Sequence, residues 1–191
     1  MNSKLRIAVI SGGTSAEASV SRVSAKGVTE ALSVNYPHVV NIELDGHLTN
    51  NLQAFRPDIV FPVLHGPPGE DGTLQGFLEM LGYAYVGSDV HSSAVAMDKI
   101  VAKHVFRAAN LPVIDQITVT IDNAITTSVE AINAQLGTYV VIKPARQGSA
   151  LGVMRVSNLN EMQEGLENAF KFDPRLLVEK RIDGKEITVG V

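Results

Sequence analysis

The segment 139–156 places two strand-like runs on either side of a loop of small residues. The first run, Tyr-Val-Val-Ile at 139–142, has the β-branched and aromatic composition of a largely buried strand. The loop 146–152 contains glycine, serine and arginine, and a second strand-like run follows at 153–156. Backbone N–H groups and a hydroxyl of such a loop can surround polyphosphate oxygens, while Lys143 supplies a point charge. The segment therefore predicts two strands joined by a lid over an anion site.

This lid differs from a Walker A motif. The pattern GxxxxGK[ST] is absent, and Lys143 precedes the glycines instead of following them. Pro144 has no backbone N–H group, so we expect it to end the first strand of the pair. The segment predicts a phosphate-binding loop of another kind.

The N-terminal residues predict the opening of a doubly wound α/β domain. A buried strand at 6–10 leads through a glycine turn into a helix at 16–32, whose apolar residues recur at helical spacing. Glu17 and Ser21 lie one turn apart on this helix, where a capping residue and a solvated hydroxyl are the ordinary roles. An NAD site is not predicted, because GxGxxG is missing although Glu43 ends the next strand.

The third predicted strand ends directly before the segment 65–73, His-Gly-Pro-Pro-Gly-Glu-Asp-Gly-Thr. Ligands of parallel sheets bind at the carboxyl ends of the strands, where this segment lies. Glycine and proline fix its backbone path, so we expect His65 and Glu70 to point into a crevice. We expect Asp71 or Thr73 to cap the helix that follows.

We place a domain boundary near residue 97, within a helical connection. The alternation of strands and helices in residues 1–97 predicts a Rossmann-like α/β domain with a parallel sheet, which includes a short strand at 85–86. Residues 98–191 predict an α+β lobe with an antiparallel sheet backed by two helices. Its predicted strands are 114–120, 139–143, 153–156, 175–180 and 186–191, and its predicted helices after residue 110 are 126–135 and 159–170.

Composition excludes several classes of protein. The 191 residues include no cysteine, which rules out disulfides, thiolate catalysis and cysteine-based zinc sites. A formal net charge of −4 gives no footprint for nucleic acid or an anionic membrane. No apolar run is long enough to span a bilayer, and no signal peptide is predicted. We expect a cytoplasmic protein that binds neither nucleic acid nor membrane.

Five segments together resemble the D-alanine–D-alanine ligase family of the ATP-grasp superfamily. They are GGTSAEASVS (12–21), HGPPGEDGTLQG (65–76), MDK (97–99), IKPARQGSALGV (142–153) and VEKRIDGKEITVGV (178–191). The resemblance covers the whole chain and implies a pre-ATP-grasp domain at 1–97 and the small ATP-grasp subdomain at 98–191. It also implies that the family's C-terminal catalytic lobe lies beyond residue 191.

The resemblance implies roles for residues on both sides of the predicted boundary. Glu17 matches the acid that holds the ammonium group of the first D-alanine, with Ser21 and His65 lining the same site. Ser149, together with Glu17, matches members of the family's catalytic relay. The residues that match the family's ATP site are Lys99, Lys143, Ser149, Glu179, Lys180, Ile182 and Glu186. Ala150 departs from the tandem serines that are common in the family loop.

The implied reaction is the ATP-dependent joining of two D-alanines through a D-alanyl phosphate, for peptidoglycan synthesis. ATP and Mg²⁺ are the implied cofactors, with the metal ligands in the C-terminal lobe and none in this chain. We expect a homodimer, and we expect the 191-residue chain alone to be inactive. Two alternatives stay open: a related ligase that uses D-lactate or D-serine as second substrate, and a non-enzymatic nucleotide-binding fragment.

Overall fold

The computed structural model describes residues 4–189 and has a mixed α/β architecture. The chain divides into two compact units, with the division between Met97 and Asp98. One unit has a parallel sheet and the other an antiparallel sheet, as the sequence predicts.

The first unit is built on a three-stranded parallel sheet in the order β2-β1-β3. Its central strand is buried along nearly its whole length because both of its edges are paired and helices cover the sheet. An isolated parallel bridge between Val60 and Tyr85 replaces the predicted short fourth strand. The elements are β1 (Arg6–Ser11), α1 (Ala18–Ser33), β2 (His38–Glu43), α2 (Leu48–Phe55), β3 (Ile59–Pro62), α3 (Thr73–Met80) and α4 (Val90–Met97).

The second unit is built on a four-stranded antiparallel sheet in the order β4-β7-β5-β6. One face carries the core, in which Val140, Ile142 and Val178 pack with Ile132 of α6 and Leu166 of α7. The elements are α5 (Lys99–Ala108), β4 (Gln116–Thr120), α6 (Ile125–Leu136), β5 (Val140–Pro144), β6 (Met154–Val156), α7 (Leu159–Ala169) and β7 (Arg175–Lys180).

The opposite face of this sheet is only partly covered. Leu177 lies on it and packs with Ile100 of α5 and with Ala145. Residues two apart on a strand share a face, so Glu179 lies on the same side as Leu177. Because Lys143 pairs with Leu177, it also lies on that side. The face therefore combines an apolar contact to α5 with charged side chains.

The structure corrects the prediction that Pro144 ends the strand before it. Pro144 belongs to β5 and pairs with Leu176. The N–H group of Ala145 donates to the carbonyl of Arg175 at 3.0 Å, so by alternation the neighbouring Pro144–Leu176 pair needs no hydrogen bond. β6 pairs with β5 only as far as Ile142. The missing N–H group of Pro144 therefore costs no ladder bond.

Two further predictions are corrected at the ends of elements. The predicted strand at 186–191 is absent over 186–189, and residues 190–191 lie outside the described residues. The helix after the third strand begins at Thr73 with Gly72 as its N-cap, in the left-handed region at φ +89°. The predicted side-chain cap is therefore wrong, although the carboxylate of Asp71 accepts from the Thr73 N–H group at 3.0 Å.

Candidate functional site

The first cluster of predicted site residues lies at the carboxyl end of the parallel sheet. The loop after β1 and the loop after β3 meet there, and the Ser15 hydroxyl donates to the carbonyl of His65 at 2.9 Å. The carboxylate of Glu17 lies against Gly66, since a Cβ added to Gly66 would come within 3.3 Å of Glu17 Oε2. The structure thus brings Glu17 and His65 to one crevice edge.

Ser21 has a different environment from the solvated hydroxyl that its position suggests. It is buried on α1, and its Oγ accepts from the Gly12 N–H group at 2.9 Å and donates to the Val63 carbonyl at 2.5 Å. The hydroxyl therefore links the residues that directly follow β1 and β3, and it fixes the backbone of both loops.

His65 and Glu70 belong to a loop whose glycines are required by its close packing. The N–H group of Gly66 donates to Glu70 Oε2 at 2.7 Å, and Glu70 Oε1 lies 3.9 Å from Nδ1 of His65. A Cβ on Gly69 would lie 2.1 Å from the Cβ of Leu64, so no larger residue fits there. Among the described residues, Nε2 of His65 is buried without a hydrogen-bond partner.

Glu43 has a structural role that sequence reasoning missed. Its Oε1 accepts from the Gly13 N–H group at 3.2 Å and from Nη2 of Arg22 at 2.6 Å. The hydrogen bond from Arg22 lowers the pKa of Glu43. A Cβ on Gly12 would lie 1.8 Å from the same oxygen. The acidic residue at the end of β2 therefore holds the glycine turn that follows β1.

The second cluster lines a cavity of about 580 Å³ in the unit of residues 98–191. Six of the seven residues predicted for an ATP site contribute to its wall: Lys99, Lys143, Glu179, Lys180, Ile182 and Glu186. Ser149 does not line the cavity, whereas its neighbour Ala150 does. Both residues are exposed and have left-handed backbones, at φ +46° and +58°.

Lys99 enters the cavity from the first turn of α5. Its Nζ donates to the carbonyls of Pro144 at 3.2 Å and Gln147 at 2.6 Å, which connects the helix to the loop after β5. Burial lowers the pKa of Lys99, and the nearby charge of Lys143 lowers it further. Asp98 caps this helix through the N–H groups of Ile100 and Val101.

Glu179 is the most buried charged residue of the cavity wall. Its two oxygens accept hydrogen bonds from different lysines, Oε1 from Lys103 and Oε2 from Lys143. Burial by itself would raise the pKa of Glu179, but the hydrogen bonds from the two lysines outweigh it, and the pKa lies below its ordinary value. An exposed carboxylate on a strand face, which is the ordinary expectation for such a residue, is not what the structure shows.

Lys103 is a second residue that sequence reasoning missed. It lies on α5 four residues after Lys99, so both side chains project from the same side of the helix toward the sheet. This four-residue spacing is the one sequence signal that places Lys103 beside Lys99. The spacing alone does not reveal the partner, because Glu179 is 76 residues away in the chain.

The loop over the cavity is held at its base by close contacts. Gly152 has φ +70°, and a Cβ there would lie 2.7 Å from the ring of Phe172 and 2.8 Å from Pro144. The buried carboxylate of Asp173 accepts from the N–H groups of Arg146 and Arg175, both at 2.9 Å. The ends of the loop are therefore fixed, while its tip at 149–150 is exposed.

The rim of the cavity is formed by the segment after β7. The guanidinium of Arg181 stacks 4.5 Å from the ring centre of Tyr139, and the hydroxyl of Tyr139 lies 3.0 Å from Asp183. Glu186 lies 3.6 Å from Arg155 in an exposed ion pair. This rim combines an apolar side chain, Ile182, with the carboxylate of Glu186.

Other kinds of site have less support in the part of the chain that the structure describes. Residues 4–189 contain no group of three His, Asp or Glu side chains placed to hold a metal ion. Within the same residues, no helix combines the length and apolarity needed to cross a membrane.

Comparison with known families gives two matches. Residues 45–88 match the family described as D-ala D-ala ligase N-terminus, and residues 105–191 match the one described as D-ala D-ala ligase C-terminus. Among curated proteins, the D-alanine–D-alanine ligase of Halalkalibacterium halodurans is 40% identical over 188 residues. That of Moorella thermoacetica is 40% identical over 190 residues.

These alignments cover 98% of this chain but 60% and 62% of the two relatives, so the chain spans about three fifths of their length. Among solved structures, D-alanine–D-alanine ligase from Bacillus anthracis superposes with a TM-score of 0.84 at 35% identity. It covers 94% of this chain and 58% of that one. The same enzyme complexed with ATP gives a TM-score of 0.79 at 33% identity, and covers 94% and 60%.

Proposed function

Because this chain belongs to the D-alanine–D-alanine ligase family, we propose that it supplies the ATP site and the first D-alanine site of an ATP-dependent ligase of two D-alanines. The unit of residues 98–191 is the nucleotide-binding part, and the unit of residues 1–97 is the amino-acid-binding part. The activity is that of the whole protein, to which this chain corresponds over about three fifths of the relatives' length.

One observation supports the nucleotide proposal: six of the seven residues predicted for an ATP site line one cavity of about 580 Å³. Ligand pockets of drug-sized molecules have volumes of about 300–1,000 Å³, so a nucleotide fits. The wall of the cavity includes the lysines Lys99 and Lys143 and most of the segment 180–186, which begins at the last residue of β7. A related ligase with the same fold was solved with ATP.

The chemistry of these residues suits the parts of ATP. The ammonium groups of Lys99 and Lys143 are compact charges that attract phosphate oxygens. Lys180 and Ile182 also line the cavity, and backbone groups of this segment can hydrogen-bond the edge of adenine. Glu186 is exposed at the rim, and its carboxylate can accept from ribose hydroxyls. Ser149, at the loop tip, supplies a hydroxyl that can turn toward the phosphates.

In the first unit, Glu17 and His65 form the amino-acid site. The carboxylate of Glu17 attracts the ammonium group of a D-alanine, and the His65 side chain, which is 34% exposed, follows β3 directly before Gly66, the residue that Glu17 lies against. Ser21 acts indirectly, because its hydroxyl is committed to Gly12 and Val63. It fixes the two strand ends between which the amino acid binds.

The proposed reaction has two steps. A carboxylate oxygen of the first D-alanine attacks the γ-phosphorus of ATP, and the bond to the ADP oxygen breaks. The neutral amine of the second D-alanine then attacks the acyl carbon, phosphate leaves, and the amine loses a proton. Lysines at the phosphates neutralise charge and hold the nucleotide, which is the main contribution that a protein makes to phosphoryl transfer. No step is assigned to Mg²⁺, since residues 4–189 provide no group of ligands for it.

Calorimetric titration with a non-hydrolysable ATP analogue tests the nucleotide site. We expect binding by the 191-residue chain, and loss of that binding in Lys143→Ala. Lys171→Ala, at an exposed lysine that is not part of the cavity wall, is the matched control and should bind as the unchanged chain does. Equal binding by Lys143→Ala and the control would refute the assignment.

An activity assay separates the ligase from its alternatives. The whole protein, offered D-alanine, D-serine and D-lactate with ATP, should release ADP and phosphate and form D-alanyl-D-alanine. A product containing D-lactate or D-serine would indicate the related ligases, and nucleotide binding without any product would indicate a binding module. We further propose a cytoplasmic homodimer, which light scattering and cell fractionation test.

A further inference from the structure

We propose that Lys103 is a positioning residue that allows Lys143 to leave Glu179 and bind a phosphate of the nucleotide. The inference deepens the proposed ATP site and rests on it. Lys103 lies outside the cavity wall and acts through the carboxylate of Glu179.

The carboxylate of Glu179 is shared between two lysines, one on each oxygen. The Glu179 side chain is 7% exposed, so its charge is largely removed from water. Lys103 binds Oε1 and Lys143 binds Oε2. A buried carboxylate with two ammonium partners keeps one partner when the other departs.

The two lysines are not equivalent. Lys143 lines the cavity and is 30% exposed, so an incoming anion can reach its ammonium group. Lys103 is 12% exposed, does not belong to the cavity wall, and donates a second hydrogen bond to the carbonyl of Ile114 at 3.1 Å. Lys103 is therefore fixed behind Glu179, whereas Lys143 stands between Glu179 and the space where phosphates would lie.

Nucleotide binding requires Lys143 to change partner, because its ammonium group bonds Glu179 in this ligand-free arrangement. Removing one partner of a buried ion pair is strongly unfavourable when the remaining charge is left alone. Lys103 prevents that outcome, since Glu179 retains a hydrogen-bonded cation after Lys143 moves. The nearby charge of Lys143 lowers the pKa of Lys99, so an anionic ligand that binds both ammonium groups would relieve their repulsion.

Without Lys103, Lys143 becomes the remaining ammonium partner of Glu179 and is no longer available to the phosphates. We expect Lys103→Gln to weaken the affinity for a triphosphate by about tenfold or more, an amount corresponding to about 1.4 kcal/mol per tenfold. Adenosine, which has no phosphate, should bind Lys103→Gln and the unchanged chain alike. Lys103→Arg keeps the charge and should restore part of the triphosphate affinity.

The second-site variant Lys103→Gln/Glu179→Gln provides the sharpest comparison. With a neutral amide at 179, Lys143 has no buried charge to balance, so the ratio of triphosphate affinity to adenosine affinity should return toward that of the unchanged chain. The Glu179→Gln substitution also relieves any loss of stability from the charge that Lys103→Gln leaves unbalanced. The adenosine affinity therefore separates the two roles, because a structural loss would lower it together with the triphosphate affinity. Lys171→Gln, an exposed lysine of the same unit, is the control for surface charge.

The experiment is calorimetric titration of the 191-residue chain and these variants with adenosine and with a non-hydrolysable ATP analogue. A selective loss for the triphosphate in Lys103→Gln, recovered in the double variant, supports the proposal. An unchanged ratio of the two affinities, or an equal loss for both ligands, overturns it. Absence of binding by the unchanged chain to either ligand refutes the proposed nucleotide site itself, and the role of Lys103 with it.

A measurement on the unchanged chain covers the case in which Lys103→Gln does not fold. Lysine ammonium groups can be followed by nitrogen-15 NMR with and without the ATP analogue. The nitrogen-15 chemical shift of Lys143 should change on nucleotide addition. That of Lys103 should stay nearly constant, because Lys103 keeps its hydrogen bond to Glu179. A shift of Lys103 with no shift of Lys143 would contradict the exchange of partners.

Discussion

The two polar clusters of this chain hold their carboxylates in different ways. In the parallel-sheet unit, Glu43 and Glu70 accept from the backbone N–H groups of Gly13 and Gly66 in loops that glycines shape. In the antiparallel unit, Glu179 accepts from lysine side chains that come from a helix and a strand.

The difference shows where each cluster is sensitive to substitution. A carboxylate held by backbone donors depends on the backbone path of the loop, and thus on the glycines that allow this path. A carboxylate held by ammonium groups depends on burial and on the presence of each partner. The first cluster should therefore be most sensitive at its glycines, and the second at its charges.

The largest effect is expected for Glu179→Ala. Lys103 would stay buried without its carboxylate, and loss of one partner of a buried pair costs about 3 kcal/mol or more in the free energy of unfolding. Denaturant unfolding at neutral pH measures the change. Glu186→Ala is the matched control, since Glu186 lines the same cavity but is 93% exposed, and it should be nearly silent. Equal effects of the two substitutions would contradict the contrast between buried and exposed charge.

The same substitution gives a pH test. Hydrogen bonds from Lys103 and Lys143 overcome the effect of burial and keep the pKa of Glu179 below its ordinary value. Its contribution to stability is therefore present above the unfolded-state pKa of about 4.3 and is lost as the pH falls through the lower folded-state pKa. The difference in stability between the unchanged chain and Glu179→Ala should shrink over that acidic range.

The next effect is expected in the other unit, for Gly69→Ala. The added Cβ would lie 2.1 Å from the Cβ of Leu64, an atom that cannot move without its backbone. Overpacking of this kind costs about 1–3 kcal/mol, and denaturant unfolding with amide hydrogen exchange would place the loss in the first unit. Gly46→Ala is the control, because a Cβ there meets no atom within 4 Å. A loss of amide protection spread equally over both units would contradict the assignment of this effect to the loop of Gly69.

A smaller loss is expected for Ser21→Ala. The substitution leaves the N–H group of Gly12 without the Oγ acceptor it uses, and a buried unsatisfied group costs about 1–3 kcal/mol, the lower end applying where water can enter. Ser19→Ala on the exposed side of α1 is the control and should be nearly neutral. If Ser21→Ala instead lowered D-alanine affinity without changing stability, Ser21 would contact substrate directly.

Topology explains how much of the first cluster was predictable. Alternating strands and helices indicate a parallel sheet, and its carboxyl edge is where the loops containing Glu17 and His65 must lie. The sequence did not indicate that Ser21 is buried, because the Val63 carbonyl it binds is 42 residues away. Nor did it indicate that Glu43 holds the glycine turn, a contact that depends on the register of β1 beside β2.

The second cluster was predictable as a set of residues but not as a set of contacts. Alternation along β5 and β7 assigns Lys143 and Glu179 each to a face of its own strand. It does not say that the two strands are neighbours, nor that α5 covers the same face. The sharing of Glu179 between Lys103 and Lys143 requires both facts, so only the structure could reveal it.

The smallest effect is expected for Arg22→Gln, which removes a side-chain donor from Glu43 while leaving its backbone donor. The ion pair is half-exposed, at 51% and 38% of the two side chains, so little stability should be lost. The hydrogen bond from Arg22 is the main cause that lowers the pKa of Glu43, and carbon-13 NMR should therefore show that pKa rise. Lys26→Gln on the same helix is the control. A Glu43 pKa unchanged in Arg22→Gln would mean that the backbone of Gly13 suffices to hold the charge, and the two clusters would then differ even more sharply than their contacts indicate.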